Sequence, residues 1–298
     1  MKTYIKEDTE YGNLLWMTDG KTEVAVALDY GLRIMVLRCV GMENVLYHQP
    51  DDLSDGLTTE KGWRIYGGHR FWTSPESDDS YYPDNEPIEY ASEEESVLLT
   101  QKTDLWTGFK KQLRLSFCDN DDLKVEHILT NCNNHPVNVA LWGITTLKGG
   151  GVAKSPCKGN ASGYAPNRAI SLWFDTSISD DRLSFENDTI IGKHILCENK
   201  LKIGAYLPQG KISMENLGQR LEISFDTHPM ENCPDHGCNV ELFLNKHIME
   251  LETLGELKEI APNETVKGLK FKVQKANGIL MWLSARKHYN LAIHKVVV

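Results

Sequence analysis

The sequence predicts an all-β protein, and two features of its 298 residues support this fold class. Apolar and polar residues alternate in segment after segment, which is the pattern of strands that bury one face. Clusters of turn-forming residues, such as residues 131–136, separate neighbouring runs, as hairpins and meanders require. No regular helical pattern lies between the strands, so a parallel α/β sheet is not expected.

The alternation marks the individual strands in chain order. Residues spaced two apart share one face of a strand, so each apolar set below predicts a half-buried strand. The sets are Val24/Val26/Leu28/Tyr30, Leu113/Leu115/Phe117, Leu123/Val125/Leu129, Val137/Val139/Leu141, Leu221/Ile223/Phe225, Val240/Leu242/Leu244 and Leu269/Phe271/Val273. We predict a strand content far above the roughly 20–25% of an average globular protein, with little helix.

Two interpretations compete in residues 247–261. Helix formers are frequent there, and leucines recur at a spacing of three from Leu251, which favours a helix. Gly255 interrupts that pattern, and Met249 fits a strand together with Leu251. We predict a strand followed by a turn.

Composition and charge limit the classes of function. The chain is 41% hydrophobic and 25% charged, as in ordinary globular proteins, and no linker or repeat divides it, so one domain over residues 1–298 is expected. A net charge of −10 repels a phosphate backbone, so nucleic acid is not an expected partner. No apolar run could cross a bilayer and no signal peptide is evident, so we expect a cytoplasmic protein without membrane contact. The oligomeric state is left open.

The densest group of polar and aromatic side chains lies at residues 63–76 and contains His69, Arg70 and Trp72. Hydrogen-bonding groups beside aromatic rings suit a pocket for a small polar ligand such as a sugar. In the alternative interpretation the aromatic residues belong to the core, and His69 is a buried histidine with satisfied hydrogen bonds. These residues alone leave both interpretations open. Residues 78–87 have the composition of a long functional loop.

Two carboxylates form a second candidate group. In a strand, Glu250 and Glu252 point to the same face. A carboxylate among apolar neighbours can have a raised pKa and act as a general base, whereas a solvated carboxylate on an outer face is the plainer alternative.

Histidine and cysteine residues at 228–238 form a third group. Sulfur and imidazole ligands this close could hold zinc. Their spacing is not that of a finger or ribbon, and the prolines and Gly237 indicate a loop, so we expect no metal and no cofactor. Asp235 and His236 of this loop are candidates to reach a sugar from the rim of its site.

Several of these segments occur in the order found in the galactose mutarotase (aldose 1-epimerase) superfamily. The segments that resemble its opening strands and its closing run are 30–34, 41–47, 241–245, 251–253 and 261–265. The run Gly67-Gly68-His69-Arg70, together with residues 83–85 and 168–182, is similar to an uncharacterised bacterial branch of that superfamily.

The resemblance implies a β-supersandwich, in which large antiparallel sheets pack face to face and a concave face holds a sugar. It also implies a mechanism in which a carboxylate takes the proton of the anomeric hydroxyl and an imidazolium protonates the ring oxygen. Matched residue by residue, the base is Glu252, Arg70 lies near the sugar-binding arginine, and His69 is the nearest imidazole for the acid.

One strand departs from the superfamily pattern. Active mutarotases carry a histidine in the strand that corresponds to residues 139–146, where this chain has none and Trp142 takes its place or lies beside it. Two alternatives follow: an aldose 1-epimerase with Glu252 as base and His69 as acid, or a non-catalytic sugar-binding or sensor protein. The expected sugar-binding residues are Arg70, Trp72, Trp142, Trp173, Lys202, Asp235 and His236.

Overall fold

A computed structural model describes residues 1–49, 62–118, 122–159, 164 and 166–275, with the backbone but not the side chains of 269–275. Strands make up 52% of the structure and helices 4%, which confirms the predicted fold class. The strands are β1 Lys2–Asp8, β2 Gly12–Thr18, β3 Thr22–Ala27, β4 Arg33–Cys39, β5 Gly68–Ser74, β6 Glu89–Ser92, β7 Ser96–Thr100, β8 Phe109–Phe117, β9 Leu123–Asn131, β10 Val137–Lys148, β11 Val152–Pro156, β12 Ile170–Leu172, β13 Leu183–Glu186, β14 Thr189–Lys193, β15 Leu201–Ala205, β16 Lys211–Asn216, β17 Gln219–Ser224, β18 Val240–Leu244, β19 Ile248–Leu254, β20 Lys258–Ile260 and β21 Thr265–Lys275.

Within the described residues, eleven strands form one antiparallel sheet and ten form another. The first, which we call the cleft sheet, has the order β1-β2-β3-β4-β5-β10-β19-β18-β15-β12, with β20 paired to β10. The second, the back sheet, has the order β13-β14-β11-β16-β17-β21-β9-β8-β7-β6. At the centre of the cleft sheet, β10 pairs with β5 on one side and with β19 on the other. This is the predicted sandwich of large antiparallel sheets.

The strand alternation separates the two faces of the cleft sheet. In β19, Met249 and Leu251 belong to the core between the sheets, whereas Glu250 and Glu252 point to the opposite face. The same alternation brings core residues from the neighbouring strands, namely Phe71, Leu141, Leu147, Ile203 and Leu242. The face that points away from the back sheet is therefore free to form a site.

Residues 247–261 form strand β19, a turn and the short strand β20, as predicted. All seven residues of β19 are buried between β10 and β18, so ladder hydrogen bonds on both sides override the helix propensity of its sequence. The backbone N–H of Gly255 donates to the carbonyl of Leu141 at 2.8 Å, which fixes the turn against β10.

The other predicted strands are also present. The last predicted strand is β21, whose side chains at 269–275 lie outside the described residues. The alternation of apolar residues predicts two strands longer than they are. Leu28 and Tyr30 lie beyond the end of β3, and Phe225 lies beyond the end of β17. No helix in the described ranges is long and apolar enough to span a membrane.

The loop at 78–87 is fastened to the cleft sheet by an ion pair. The guanidinium of the fully buried Arg33 donates from Nη1 to Asp84 Oδ2 at 2.6 Å and from Nη2 to Asp84 Oδ1 at 3.0 Å. The loop contains a short 3-10 turn, Asp78–Tyr81, whose tyrosine ring packs edge-on against Trp72. The ion pair thus holds Tyr81 near the outer face of the sheet.

Candidate functional site

A cleft of about 190 Å³ lies on the outer face of the cleft sheet. Strands β5, β10, β15, β18 and β19 supply most of its lining, and residues on either side of β5 and directly before β15 supply the rest. The residues that carry its aromatic and charged groups are Trp63, Arg70, Trp72, Glu76, Tyr81, Trp142, Lys200, Lys202, Phe243, Glu250 and Glu252.

Aromatic rings in mutual contact form one wall of the cleft. Trp72 lies directly opposite Trp142 in the β5–β10 pair, with ring centroids 5.6 Å apart and planes at 77°. Trp63 contacts Trp72 at 5.5 Å, and Tyr81 meets both of these rings edge-on at 5.2 and 5.1 Å. Edge-to-face pairs contribute about 0.5–1.5 kcal/mol each beyond the area they bury. The wall is therefore a rigid surface with apolar faces.

Arg70 and Glu250 form a buried ion pair in the cleft. Arg70 Nη1 donates to Glu250 Oε1 at 2.8 Å and to Thr146 Oγ1 at 2.9 Å, and the two charged side chains are 6% and 8% exposed. The guanidinium carbon lies 4.7 Å from the centroid of the Trp72 ring. The buried Nε of Arg70 has no hydrogen-bond partner within the described part of the chain. An acceptor on a ligand would satisfy this donor.

Glu252 lies beside this pair and interacts with a lysine. Its Oε2 accepts from the indole N–H of Trp142 at 3.0 Å and from Lys202 Nζ at 3.3 Å. Burial raises the pKa of Glu252, and the charge of Lys202 opposes that rise. A carboxylate of this kind can accept a proton nearer neutrality than a solvated one.

Lys202 is the cation at the centre of the site. Burial alone would lower the pKa of Lys202, but Glu252 and Glu241 raise it above its ordinary value, so the ammonium stays charged. Its Nζ lies 4.8 Å from the ring of Trp142 and 4.9 Å from that of Trp173, within the range of cation–π contacts.

The structure brings five of the predicted site residues together in the cleft: Arg70, Trp72, Trp142, Lys202 and Glu252. Trp173 touches the group from the side through its contact with Lys202. Asp235 accepts a hydrogen bond from Ser74 Oγ at 3.0 Å, at the end of β5, and does not line the cleft. His236 is exposed and does not line it either.

The structure does not support the predicted acid role of His69. Its side chain is buried between the sheets, where Nδ1 hydrogen-bonds Thr145 Oγ1 at 3.0 Å and Nε2 lies 2.9 Å from Nε2 of His127 in the back sheet. Burial lowers the pKa of His69 well below its ordinary value, with a further contribution from His127. Because successive residues of a strand point to opposite faces, a strand that directs Arg70 into the cleft directs His69 away from it.

Tyr81 and Glu76 line the cleft, and Glu241 lies next to it, but none of the three is among the predicted site residues. Tyr81 and Glu76 enter the cleft only because the loop after β5 folds back over the sheet, which no local pattern indicates. Glu241, which lies directly opposite Glu252 in the β18–β19 pair, was detectable in principle because it alternates with buried Val240 and Leu242.

The two cysteine thiols of the 228–238 loop contact backbone carbonyl groups of the same loop. Cys233 Sγ contacts the carbonyl of Pro229 at 3.5 Å, and Cys238 Sγ contacts that of Asp235 at 3.1 Å. Burial raises the pKa of Cys233 to about 11 and that of Cys238 to about 12, which disfavours thiolate ligands. Among the residues that the structure describes, no group of three or more His, Cys, Asp or Glu side chains could hold a metal ion.

The fold is similar to solved structures of low sequence identity. A galactose mutarotase-like protein from Clostridium acetobutylicum has a TM-score of 0.55 and 12% identity over 92% of this chain and 99% of its own. An aldose epimerase homologue from C. elegans has a TM-score of 0.51 and 10% identity over 93% of this chain and 99% of its own. A TPR-domain containing protein from Parabacteroides distasonis has a TM-score of 0.59 and 14% identity over 88% of this chain, which spans 46% of that protein's length.

The similarity to known proteins is found in the structure and not in the sequence. No protein-family model and no curated protein matches the sequence. At such identities they show the fold alone, and that fold is galactose mutarotase-like. The predicted superfamily resemblance is thereby confirmed at the level of the fold.

Proposed function

We propose that this chain, which has the galactose mutarotase-like fold, binds a carbohydrate in its cleft. The observation that carries the proposal is the position of Arg70, Glu250 and Glu252 beside the rings of Trp72 and Trp142. Sugar hydroxyls require polar partners, and the C–H faces of a sugar pack on flat aromatic rings. The aldose epimerase homologue among the fold neighbours supports the same class of ligand.

The enzymatic form of this proposal is an aldose 1-epimerase reaction with Glu252 as general base. Glu252 takes the proton of the anomeric hydroxyl, that oxygen becomes a carbonyl, and the bond from the anomeric carbon to the ring oxygen breaks. The ring oxygen accepts a proton from an acid, and the carbonyl rotates. On closure at its other face, the hydroxyl returns that proton to the acid and Glu252 returns its proton to the carbonyl oxygen, which gives the opposite anomer. The raised pKa of Glu252 suits such a base at neutral pH.

Tyr81 takes the place of the missing imidazole as proton donor in this scheme. It is a hydroxyl in the cleft, and burial raises its pKa, so it stays protonated at neutral pH. Its hydroxyl hydrogen-bonds Glu76, which also lines the cleft. Glu76 thus orients the Tyr81 hydroxyl, which takes its proton back when the sugar ring closes.

The second candidate function is carbohydrate binding without catalysis, as in a sugar sensor. A specific observation favours it: within the described residues, no histidine lines the cleft, and Trp142 lies in the central strand, where the superfamily resemblance implies a histidine. An indole cannot protonate a ring oxygen.

Two measurements on one panel of free and 6-phosphorylated aldoses distinguish these functions. Titration calorimetry measures binding, and exchange NMR measures the rate at which the bound sugar's anomers interconvert. Binding with accelerated exchange supports the epimerase, whereas binding with exchange no faster than in buffer supports the sensor. Binding of no sugar on the panel would overturn the carbohydrate proposal.

A cytoplasmic location is proposed on the number and spread of the cysteines. The chain has seven, an odd number spread widely along the sequence, which suits reduced thiols better than a disulfide framework. Fractionation of cells that express the protein would test it. A single domain over residues 1–298 likewise stays a prediction.

A further inference from the structure

We propose that Glu241 is a neutral carboxylic acid that donates a hydrogen bond to Glu252 and thereby keeps Glu252 ionised and oriented. Glu241 is a positioning residue in this inference, since it does not line the cleft. The inference deepens the proposed function because it concerns the same carboxylate, but its first test needs no sugar.

The strand register brings the two carboxyl groups together. Glu241 on β18 lies directly opposite Glu252 on β19, and both residues are only 1% exposed. Side chains at directly opposed positions have Cβ atoms about 4.5–5.5 Å apart, so two glutamates on one face reach each other easily.

The buried charges require one proton on this pair. Lys202 Nζ lies 2.7 Å from Glu241 Oε2 and 3.3 Å from Glu252 Oε2, so one ammonium serves both carboxyl groups. The neighbouring cation, Arg70, is engaged by Glu250. Two buried carboxylates with one cation leave a negative charge uncompensated, and a buried group in that position takes up a proton instead.

The hydrogen bonds indicate which group carries the proton. Glu252 accepts from the indole of Trp142 and from Lys202, and both bonds stabilise its charged form. Glu241 has one such contact, the approach of Lys202 Nζ to its Oε2 at 2.7 Å, and no further described donor reaches its carboxyl oxygens. The group with fewer donors is the one that is neutral, and its O–H can donate to the charged partner.

The surrounding charges favour the same assignment. Burial raises the pKa of Glu241 well above its ordinary value, and the charges of Glu252 and then Asp235 raise it further, against Lys202. For Glu252, Glu250 adds to the rise, whereas Lys202, Arg70 and the hydrogen bond from Glu241 lower the pKa. Glu76 adds a negative charge that acts on Lys202.

Neutron diffraction from deuterated crystals at pH 7, without sugar, tests the inference directly. We expect a deuteron on the Glu241 carboxyl group, directed at an oxygen of Glu252. A deuteron on Glu252 instead, or on neither group, would overturn the inference. This result does not depend on whether any sugar binds, so it can fail or succeed separately from the proposed function.

Two variants test the positioning role in solution. Glu241→Gln keeps a neutral donor toward Glu252, and we expect the pH profile of anomeric exchange to be unchanged. Glu241→Leu removes the donor, and we expect kcat to fall about tenfold and the acidic limb of the pH profile to move to higher pH, with KM little changed, because an unassisted buried carboxylate is harder to ionise. Circular dichroism confirms that each variant is folded. Equal profiles for both variants, or a shift in Glu241→Gln alone, would contradict the inference.

Discussion

His69 and Arg70 are neighbours in β5, and their side chains lie on opposite faces of the cleft sheet. His69 reaches His127 in the back sheet, whereas Arg70 reaches Glu250 in the cleft. Two consecutive residues of one strand therefore serve two different purposes: the histidine joins the sheets, and the arginine builds the site.

The lowered pKa of the buried His69 should make the stability of the protein depend on pH. Its folded-state pKa is lowered, so the unfolded chain, with a pKa near 6.5, takes up the proton first. Stability is therefore fully present above about pH 6.5 and falls as the pH drops below it, by at most about 1.4 kcal/mol per pH unit. Urea unfolding at pH 7.5, 6.5 and 5.5 measures this slope.

Two variants test whether His69 causes the loss of stability below pH 6.5. His69→Gln should show a smaller slope below pH 6.5 and an unchanged sugar affinity, because it alters the core and not the cleft. His135→Gln, at an exposed position, is the matched control and should retain the wild-type slope. A loss of sugar binding in a folded His69→Gln protein would contradict the placement of this histidine.

Glu252→Gln should separate binding from exchange. The amide can still hydrogen-bond a sugar but cannot accept its proton, so exchange should slow by about a hundredfold or more while binding persists. Exchange NMR gives the rate, and calorimetry gives the affinity. The exposed Glu259→Gln is the control. An unchanged exchange rate in Glu252→Gln would show that another group is the base.

Trp142→Phe should move the pH profile of exchange to higher pH. Phenylalanine keeps an aromatic ring in the wall but loses the indole N–H that donates to Glu252 Oε2 at 3.0 Å. A lost hydrogen bond to a charged group costs about 1.5–3 kcal/mol, so a shift of about one to two pH units is expected. Trp16→Phe, in β2, is the control, and a profile identical to the wild type would argue against the indole's role.

The buried pair of Arg70 and Glu250 should show strong coupling in unfolding experiments. Arg70→Met leaves Glu250 without its cation and should lower the free energy of unfolding by about 3–5 kcal/mol. The double variant Arg70→Met/Glu250→Leu should recover part of that loss, because no buried charge is left alone. If the effects of the two substitutions on the free energy of unfolding are additive, the interaction energy between Arg70 and Glu250 is zero, which would contradict this prediction.

Asp84→Asn should loosen the loop at 78–87. The fully buried Arg33 would keep its charge without a compensating carboxylate, which is expected to cost about 3 kcal/mol. Limited proteolysis should then cut the loop faster, and sugar affinity should fall because Tyr81 loses its support. Asp78→Asn, an exposed change in the same loop, should leave both properties as they are.

Most of the fold followed from local patterns in the sequence. The period-two alternation predicted strands such as β8, β9 and β18, because a strand in a sandwich buries one face whatever its partner is. The order of strands in the sheets could not be predicted that way. The pairing of β10 with β5 and β19 depends on tertiary contacts, which leave no periodic signal.

The site was predictable only in part, for two different reasons. Alternation alone argues against placing both His69 and Arg70 in one cleft, and it would also have directed attention to Glu241. The position of Tyr81 could not be predicted from local sequence, because it depends on the contact between Arg33 and Asp84, which are 51 positions apart. A carboxyl cluster such as Glu241 and Glu252 appears only once the strand register is known.

The long sequence separations within the cleft govern how the protein folds. Arg70 and Glu250 are 180 positions apart, and Trp142 and Glu252 are 110 apart. To form such non-local pairs, the chain must lose the conformational entropy of a large loop before the contacts can stabilise it. The chain should therefore fold slowly, with the pocket among its last parts to form. During synthesis β5 has an unpaired edge until β10 emerges, and β10 in turn has one until β19 emerges. A nascent chain in that state needs protection from association, and neither half of a chain cut between β11 and β15 would contain a working pocket.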